Sequence, residues 1–244
     1  MKQFGLIGYP LSHSFSKKYF TEKFEQLKLE DHAYDLFPID QIDLFPSLIK
    51  TYPNLVGLNV TIPYKSKVME FLDEIDESAI EIGAVNTIKI LDGRLIGYNT
   101  DVHGFHQSLL PLIEEDEHFH ALILGNGGAA KAVIWVLEHL QIEYNIVSRK
   151  DNIQTIKYSD LDNLMIENHK LIINTTPLGM APNEDSFPPI PYDALGQEHI
   201  LYDMVYNPVE TRFMKFGSKR GAIVKNGLEM LHLQADRSWE IWNE

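Results

Sequence analysis

The chain has 244 residues, enough for one large domain or two smaller ones with separate cores, and 44% of them are apolar. Its 21 basic and 35 acidic side chains give a formal charge of −14, which argues against nucleic acid or an anionic membrane as the main partner. No apolar run nears the roughly 18 residues of a membrane span, and the absence of cysteine excludes disulfides and thiolate metal sites.

The first residues, MKQFGLIGYPLSHS, have too short an apolar core and too early a Pro and His for a signal peptide, so a cytoplasmic location is expected. In chain order, residues 4–8 (FGLIG), 33–37, 56–62, 84–90 and 95–98 read as strands. Between them Phe20, Phe24 and Leu27 recur at helical spacing, as do Val68, Leu72, Ile75 and Ala79. Asp92-Gly93 between two apolar runs signals a hairpin. This first section therefore reads as mostly parallel α/β with one antiparallel excursion. Acidic clusters at 73–81 and 114–117 read as solvated helix faces and loops.

A second series follows the polar stretch that ends near His120. Residues 121–125 (ALILG), 144–147, 171–174 and 200–204 read as strands, and 128–140 and 228–242 as helices. The segment APNEDSFPPIPY, residues 181–192, carries Pro182, Pro188, Pro189 and Pro191 and reads as a loop or lid. The whole chain reads as two α/β domains.

Strand 121–125 runs directly into Gly125-Asn126-Gly127-Gly128-Ala129-Ala130. Gly125, Gly127 and Ala130 fill the three small-residue positions of the dinucleotide fingerprint. They allow a tight turn, close approach of backbone to a pyrophosphate at a helix N-terminus, and close helix–strand packing. The strand before and the apolar helix after supply the context such a motif needs. The next strand ends Ser148-Arg149-Lys150, where an NAD-binding unit carries an Asp or Glu for the ribose hydroxyls. A carboxylate there repels a 2′-phosphate and a guanidinium grips it, so NADP is the expected cofactor.

Several motifs, in order, resemble the shikimate dehydrogenase family over essentially the whole chain. Residues 8–16 (GYPLSHSFS) look like its substrate-binding entry, and Asn59-Val60-Thr61-Ile62-Pro63-Tyr64-Lys65 looks like the segment with its catalytic lysine. Ala84-Val85-Asn86-Thr87 and Tyr98-Asn99-Thr100-Asp101 match two further site motifs. Residues 174–180 (NTTPLGM) and 203–206 (DMVY) are similar to cofactor-side segments, and 226–234 resembles the closing helix.

The resemblance implies an NADP-dependent oxidoreductase acting on a CH–OH group, which reduces 3-dehydroshikimate reversibly to shikimate in aromatic amino acid biosynthesis. It implies Lys65 and Asp101 as the catalytic pair. It further implies that Ser14, Ser16, Thr61, Asn86, Gln234 and Tyr206 hold the substrate together with that pair. Gly125, Asn126, Gly127, Gly128, Ala129, Ser148, Arg149, Lys150, Met204 and Gly227 are placed around the cofactor, with Glu77 on the nicotinamide side. The implied fold is a substrate-binding and catalytic domain, 1–101, completed by a C-terminal helix at 227–244. A Rossmann NADP-binding domain, 102–226, lies between them in sequence, and the active site is the cleft separating the two.

The chemistry suits these assignments. Hydroxyls such as those of Ser14 and Ser16 can donate to a carboxylate without adding charge, and amides such as Asn86 and Gln234 suit ring hydroxyls. A cation at Lys65 stabilises negative charge that develops on the ketone oxygen during reduction. Pro63 ends ladder donation just before that lysine.

Some positions depart from the family pattern. Lys17 stands where a proline commonly follows the second serine, Asn126 replaces a common alanine, and Ser148 and Lys150 replace the usual Asn and Thr flanking the arginine. His103, His106, His118 and His120 cluster in sequence but lack a ligand spacing such as HExxH, so no metal is expected. His13 is read as orienting its loop. A chain of this length has no room for a fused dehydratase, so the single-function form is expected. The small-molecule substrate is the expected partner, and a homodimer is left open. A quinate-accepting relative, or a non-catalytic dinucleotide or metabolite sensor on the same scaffold, are the alternative readings.

Overall fold

The structure is a computed structural model; it describes residues 1–11, 14–113, 120–149 and 154–244. His13, Glu114 to Glu117, His118 and Lys150, all singled out above, lie outside the described residues. The chain divides into two compact units, 1–103 with 234–244, and 104–233.

The first unit contains β1 (Lys2–Gly8), α1 (Phe15–Gln26), β2 (His32–Pro38), α2 (Phe45–Thr51), β3 (Leu55–Val60), β4 (Glu74–Ile75), α3 (Glu77–Ile82), β5 (Thr87–Leu91) and β6 (Arg94–Tyr98). The helix α4 (Asp101–Leu109) leads into the second unit. The sheet order is β2-β1-β3-β5-β6-β4; the pairings of β5 with β3 and with β6 are antiparallel and the others parallel. Asp92-Gly93 forms the two-residue hairpin between β5 and β6, with φ positive at both residues.

Residues Phe4 to Gly8 are all buried, as in a strand covered on both faces. Leu58, Val60, Phe45 and Val68 belong to one of the cores that cover the sheet, and Phe4, Phe20, Tyr34 and Trp242 belong to another.

Three sequence expectations in this unit need correction. The strand expected over 56–62 stops at Val60, because Tyr64 turns its N–H back to the Thr61 carbonyl (2.9 Å). The strand expected from residue 84 begins only at Thr87, since the N–H groups of Ala84 and Val85 go to Ala79 and Lys65 instead. Val68, Leu72, Ile75 and Ala79 do not lie on one helix; a 3₁₀ turn (Lys67–Phe71), β4 and α3 divide them. Asp73 and Asp76 donate their N–H groups to Leu95 and Gly97, so pairing to β6 overrides the helical period.

The second unit adds β7 (His120–Leu124), α5 (Gly128–His139), β8 (Glu143–Ser148), β9 (Ile156–Lys157), α6 (Asn163–Asn168), β10 (Leu171–Asn174), β11 (Ile200–Asp203), α7 (Arg212–Lys219) and β12 (Ile223–Asn226). Its sheet is wholly parallel, in the order β9-β8-β7-β10-β11-β12. That is the Rossmann order, with its switch point between β7 and β10. The last helix, α8 (Leu228–Asn243), begins in this unit and ends in the first, with the change of unit at 233/234.

Trp242, near the end of α8, donates its indole N–H to the Ile88 carbonyl (3.0 Å) and lies flat against Gly57 of β3. A Cβ at residue 57 would stand 2.5 Å from the indole, a distance no real contact tolerates. Gly57→Ala must therefore displace the closing helix. We expect it to destabilise the first unit by about 1–3 kcal/mol, read as a lowered midpoint in chemical denaturation. An unchanged midpoint would show that the helix can yield without cost.

Candidate active site and nucleotide pocket

The segment after β3 is held at both ends. Tyr64 is buried and donates its hydroxyl to the Ile39 carbonyl (2.7 Å), while the Lys65 carbonyl accepts the N–H of Val85 (2.7 Å). The Lys65 side chain is thereby the free end of a fixed backbone, and its Nζ lies 2.6 Å from Asp101 Oδ2. Both side chains remain partly open to solvent, 32% and 21% exposed, so the pair is reachable from outside. Asp101 opens α4, where the helix N-terminus favours a carboxylate. Its own N–H donates to Asn99 Oδ1 (3.1 Å), and Asn99 in turn donates to the Ala84 carbonyl (2.9 Å).

Asn86 is oriented as firmly. Its Oδ1 accepts the N–H of Thr100 (2.7 Å) and lies within hydrogen-bond range of the Thr87 and Thr100 hydroxyls. Its Nδ2 makes no hydrogen bond among the described residues, which leaves a fixed amide with free donors. Thr100 also reaches Gln234 Oε1 (3.4 Å) and Ser238 Oγ (3.2 Å) on α8. The first unit thus brings Lys65 to Asp101, and Asn86 to Gln234 through Thr100.

Ser14 caps α1, accepting the N–H of Lys17 (3.4 Å), and its hydroxyl proton stays available to donate. Ser16 lies one residue inside that helix, near the Tyr34 phenol, whose hydroxyl donates to Asn59. Thr61 follows β3, its methyl against Gly8 and its N–H on the Ile7 carbonyl (2.9 Å). Glu77 is exposed in the first turn of α3, where a helix N-terminus favours an acid. Tyr206 lies in the second unit, and burial raises its pKa.

Asn59, which shares the lysine motif, serves the core and not the site. It is buried, accepts from Tyr34 (2.8 Å), and turns its amide toward Ser238 (3.1 Å) and Thr87 (3.3 Å). Ser238, fully buried at the centre of this cluster, had no signal in the sequence beyond its place on a helix.

In the second unit, β7 runs into Gly125 at φ +107, a conformation that favours glycine. A Cβ there would also meet Thr175 Oγ1 at 2.8 Å. Gly127 caps α5 without a side-chain bond, and a Cβ on Gly127 or Gly128 would meet nothing within 4 Å. The loop therefore presents first-turn N–H groups to open space, as phosphate recognition requires.

A cavity of about 310 Å³ opens at this turn, lined by Gly125, Asn126 and Gly127 on one side and by Ser148 and Arg149 at the end of β8. Thr175, Thr176, Pro177 and Leu178, directly after β10, form another wall. The Rossmann rule, that ligands bind where strand order reverses, identifies these four once the topology is known. Tyr158 and Pro189 also line the cavity; Pro189 belongs to the proline-rich segment read as a loop or lid, whereas Tyr158 has no signal in the sequence. Arg149 is exposed and has no ion pair among the described residues. Met204 and Gly227 are not among the lining residues of this cavity but lie against each other, a Cβ on Gly227 falling 2.3 Å from the Met204 carbonyl. A glycine turn, an uncapped helix start and an unpaired guanidinium fit a phosphorylated dinucleotide.

His103 and His106 lie on α4, and His120 opens β7 with its ring 3.5 Å from Glu143. Among the described residues, no three acidic or imidazole groups gather as a metal site.

Mixed and parallel α/β units, one with a lysine–carboxylate pair and one with a Rossmann phosphate turn, define the class of two-domain nicotinamide-nucleotide oxidoreductases. A family profile described as "Shikimate dehydrogenase substrate binding domain" matches residues 6–88. A Clostridium beijerinckii protein named "Shikimate dehydrogenase (NADP(+))" is 43% identical, covering 100% of this chain and 93% of its own length. The Listeria monocytogenes shikimate 5-dehydrogenase, solved in complex with shikimate and NAD, superposes with a TM-score of 0.90 at 29% identity, covering 100% of this chain and 92% of that one. A ligand-free 5-ketofructose reductase of Gluconobacter sp. strain CHM43 also superposes, with a TM-score of 0.84 at 29% identity, over 99% and 92% of the two chains. The chain belongs to the shikimate dehydrogenase family.

One buried group in the second unit yields a pH prediction. Asp203 is fully buried, and burial pushes its pKa up to about 6 despite hydrogen bonds from Thr211, Val205 and Asn174. The folded pKa exceeds the unfolded value of 3.8, so its contribution to stability is complete below that value and is lost as pH rises through about 6. The gap corresponds to on the order of 3 kcal/mol. Chemical denaturation of Asp203→Asn at pH 4 and pH 7 should show less of this loss than the native chain. An identical pH dependence in both would place the titrating group elsewhere.

Proposed function

We propose that the chain catalyses the reversible NADPH-dependent reduction of 3-dehydroshikimate to shikimate, in the pathway to aromatic amino acids. The observation that carries this reading is the 2.6 Å contact of Lys65 Nζ with Asp101 Oδ2 on a rigid, accessible stretch of backbone. A protein that only senses a metabolite has no need for such a proton-bearing pair.

NADPH, when bound, supplies the hydride. Lys65 holds a proton at Nζ and delivers it to the ketone oxygen as that oxygen gains negative charge. Asp101 takes one Nζ hydrogen, which aims the remaining donors and keeps the ammonium in place. Asn86 donates from its free Nδ2, and Gln234 joins it at the ring hydroxyls. Ser14 and Ser16 donate to the substrate carboxylate, with Thr61 and Tyr206 completing the contacts. Gly125 to Ala129 receive the pyrophosphate, Ser148, Arg149 and Lys150 the 2′-phosphate, and Met204 and Gly227 the nicotinamide end. Glu77 stands on that side in the same reading. Residues 1–101 with the last helix form the substrate domain, and 102–226 the NADP domain.

A cytoplasmic location suits this role, and among the described residues no helix is long and apolar enough to cross a membrane.

Absorbance at 340 nm should rise when NADP is mixed with shikimate and the enzyme, more slowly with quinate, and more slowly when NAD replaces NADP. Faster turnover of quinate would reassign the substrate, and a preference for NAD would defeat the role given to Arg149. No turnover of either acid would leave a binding protein. Lys65→Ala should lower kcat by roughly 10²–10⁴ while the affinity for NADPH, measured by calorimetry, stays unchanged. A parallel loss of cofactor binding would mean that the lysine holds the fold.

A further inference from the structure

Among the described residues, the hydroxyl of Tyr158 is the single buried side-chain polar atom without a hydrogen-bond partner. Leaving such a group unmatched costs free energy, so a protein that keeps one at a cavity wall points to a ligand that completes it. The position of the residue follows from strand register. β8 and β9 run parallel with Ser148 opposite Lys157, so the next residues, Arg149 and Tyr158, emerge beside each other at the carboxyl edge of the sheet. Both line the cavity at the glycine turn. The Tyr158 ring packs against the core of the second unit, of which Leu161 and Ile166 are members, and its hydroxyl makes no hydrogen bond among the described residues.

Burial lifts the phenol pKa to about 12, partly offset by the charge of Arg149. The group is therefore a neutral donor across the physiological range. It suits an acceptor that carries no hydrogens of its own and is held against Arg149, and a phosphate oxygen has both properties.

We propose that Tyr158 is a further nucleotide-binding residue, whose hydroxyl donates to the 2′-phosphate that Arg149 pairs with and so helps select the phosphorylated dinucleotide. The proposal rests on reading this cavity as the cofactor site. It assigns to a neutral donor part of a discrimination that the charges after β8 would otherwise carry alone.

The variant Tyr158→Phe keeps the packed ring and removes only the oxygen. Calorimetric titration of the native chain and the variant with NADPH and with NADH separates the readings. We expect NADPH to bind roughly 5–20-fold more weakly to the variant, the loss of one charge-assisted hydrogen bond, with NADH affinity unchanged. Equal weakening for both cofactors would move the contact to the shared adenine or ribose, and no weakening would remove it; either result overturns the proposal. A native chain that binds neither cofactor would overturn the reading of the cavity itself. The melting temperature of the ligand-free variant gives an independent check. It should match or exceed the native value, since an unmatched polar atom has been removed, and a clear fall would reveal a structural partner for the hydroxyl and defeat the assignment.

Discussion

The last helix of the chain bonds to the first sheet through Ser238, and the rest of the first unit depends on that closure. Ser238 Oγ accepts from Asn59 across 179 residues and lies 2.8 Å from Thr87 and 3.2 Å from Thr100. None of these groups can be exposed to water without opening the core, and each uses the others to satisfy its hydrogen bonds. Trp242, one turn further along, seals the same interface against Gly57 and Ile88. The first unit is therefore incomplete until the final residues arrive, a contact of high sequence separation with a correspondingly large loop-closure cost.

This closure is also what sets the polar groups of the candidate site. Thr100 belongs to the Ser238 cluster through its hydroxyl and to Asn86 through its N–H, and Asp101 is the next residue. The position of the Asp101 carboxylate is thus inherited from a buried network on one side and from Asn99 on the other. Lys65 is fixed by the Tyr64 anchor and the Val85 bond. Two stretches of backbone, both tied to residues 84–86, meet at a single charged contact. Precise geometry is reached there without burying the lysine, which would cost more than the contact returns.

What the sequence disclosed follows a physical pattern. Long apolar runs with clear turn signals, such as 121–125 and the Asp92-Gly93 hairpin, could be read because local preference and tertiary role agree. The β4 region misled because Val68, Leu72, Ile75 and Ala79 have a helical period only by coincidence, and pairing to β6 decides their conformation. β9 and β12 were missed, since strands of two and four residues carry too little periodicity to register. The Lys65–Asp101 contact was legible only through resemblance, as a lysine on a turn has no intrinsic mark of function. Asn59 shows the limit of such transfer, because proximity to a motif says nothing about which way a side chain turns. Tyr158 was invisible for a different reason. Its placement beside Arg149 is a property of strand register, which no single segment of sequence contains.

The two units also solve different electrostatic problems. In a chain carrying −14, a phosphate site cannot depend on a favourable long-range field, so attraction must be local. As proposed, the second unit meets this with backbone: Gly125 in a conformation that favours glycine, an α5 start without a side-chain cap, and a guanidinium after β8 with no ion pair among the described residues. Oriented N–H groups carry no net charge and no entropy of side-chain ordering, and they work at full strength only at contact distance. An acidic surface then becomes tolerable, because repulsion from exposed carboxylates is screened within roughly 8–10 Å at physiological salt while the contacts in the turn are not. In the proposed reading, recognition of an anion by an acidic protein follows from geometry at Gly125 to Gly128, and the overall charge is left free to serve solubility.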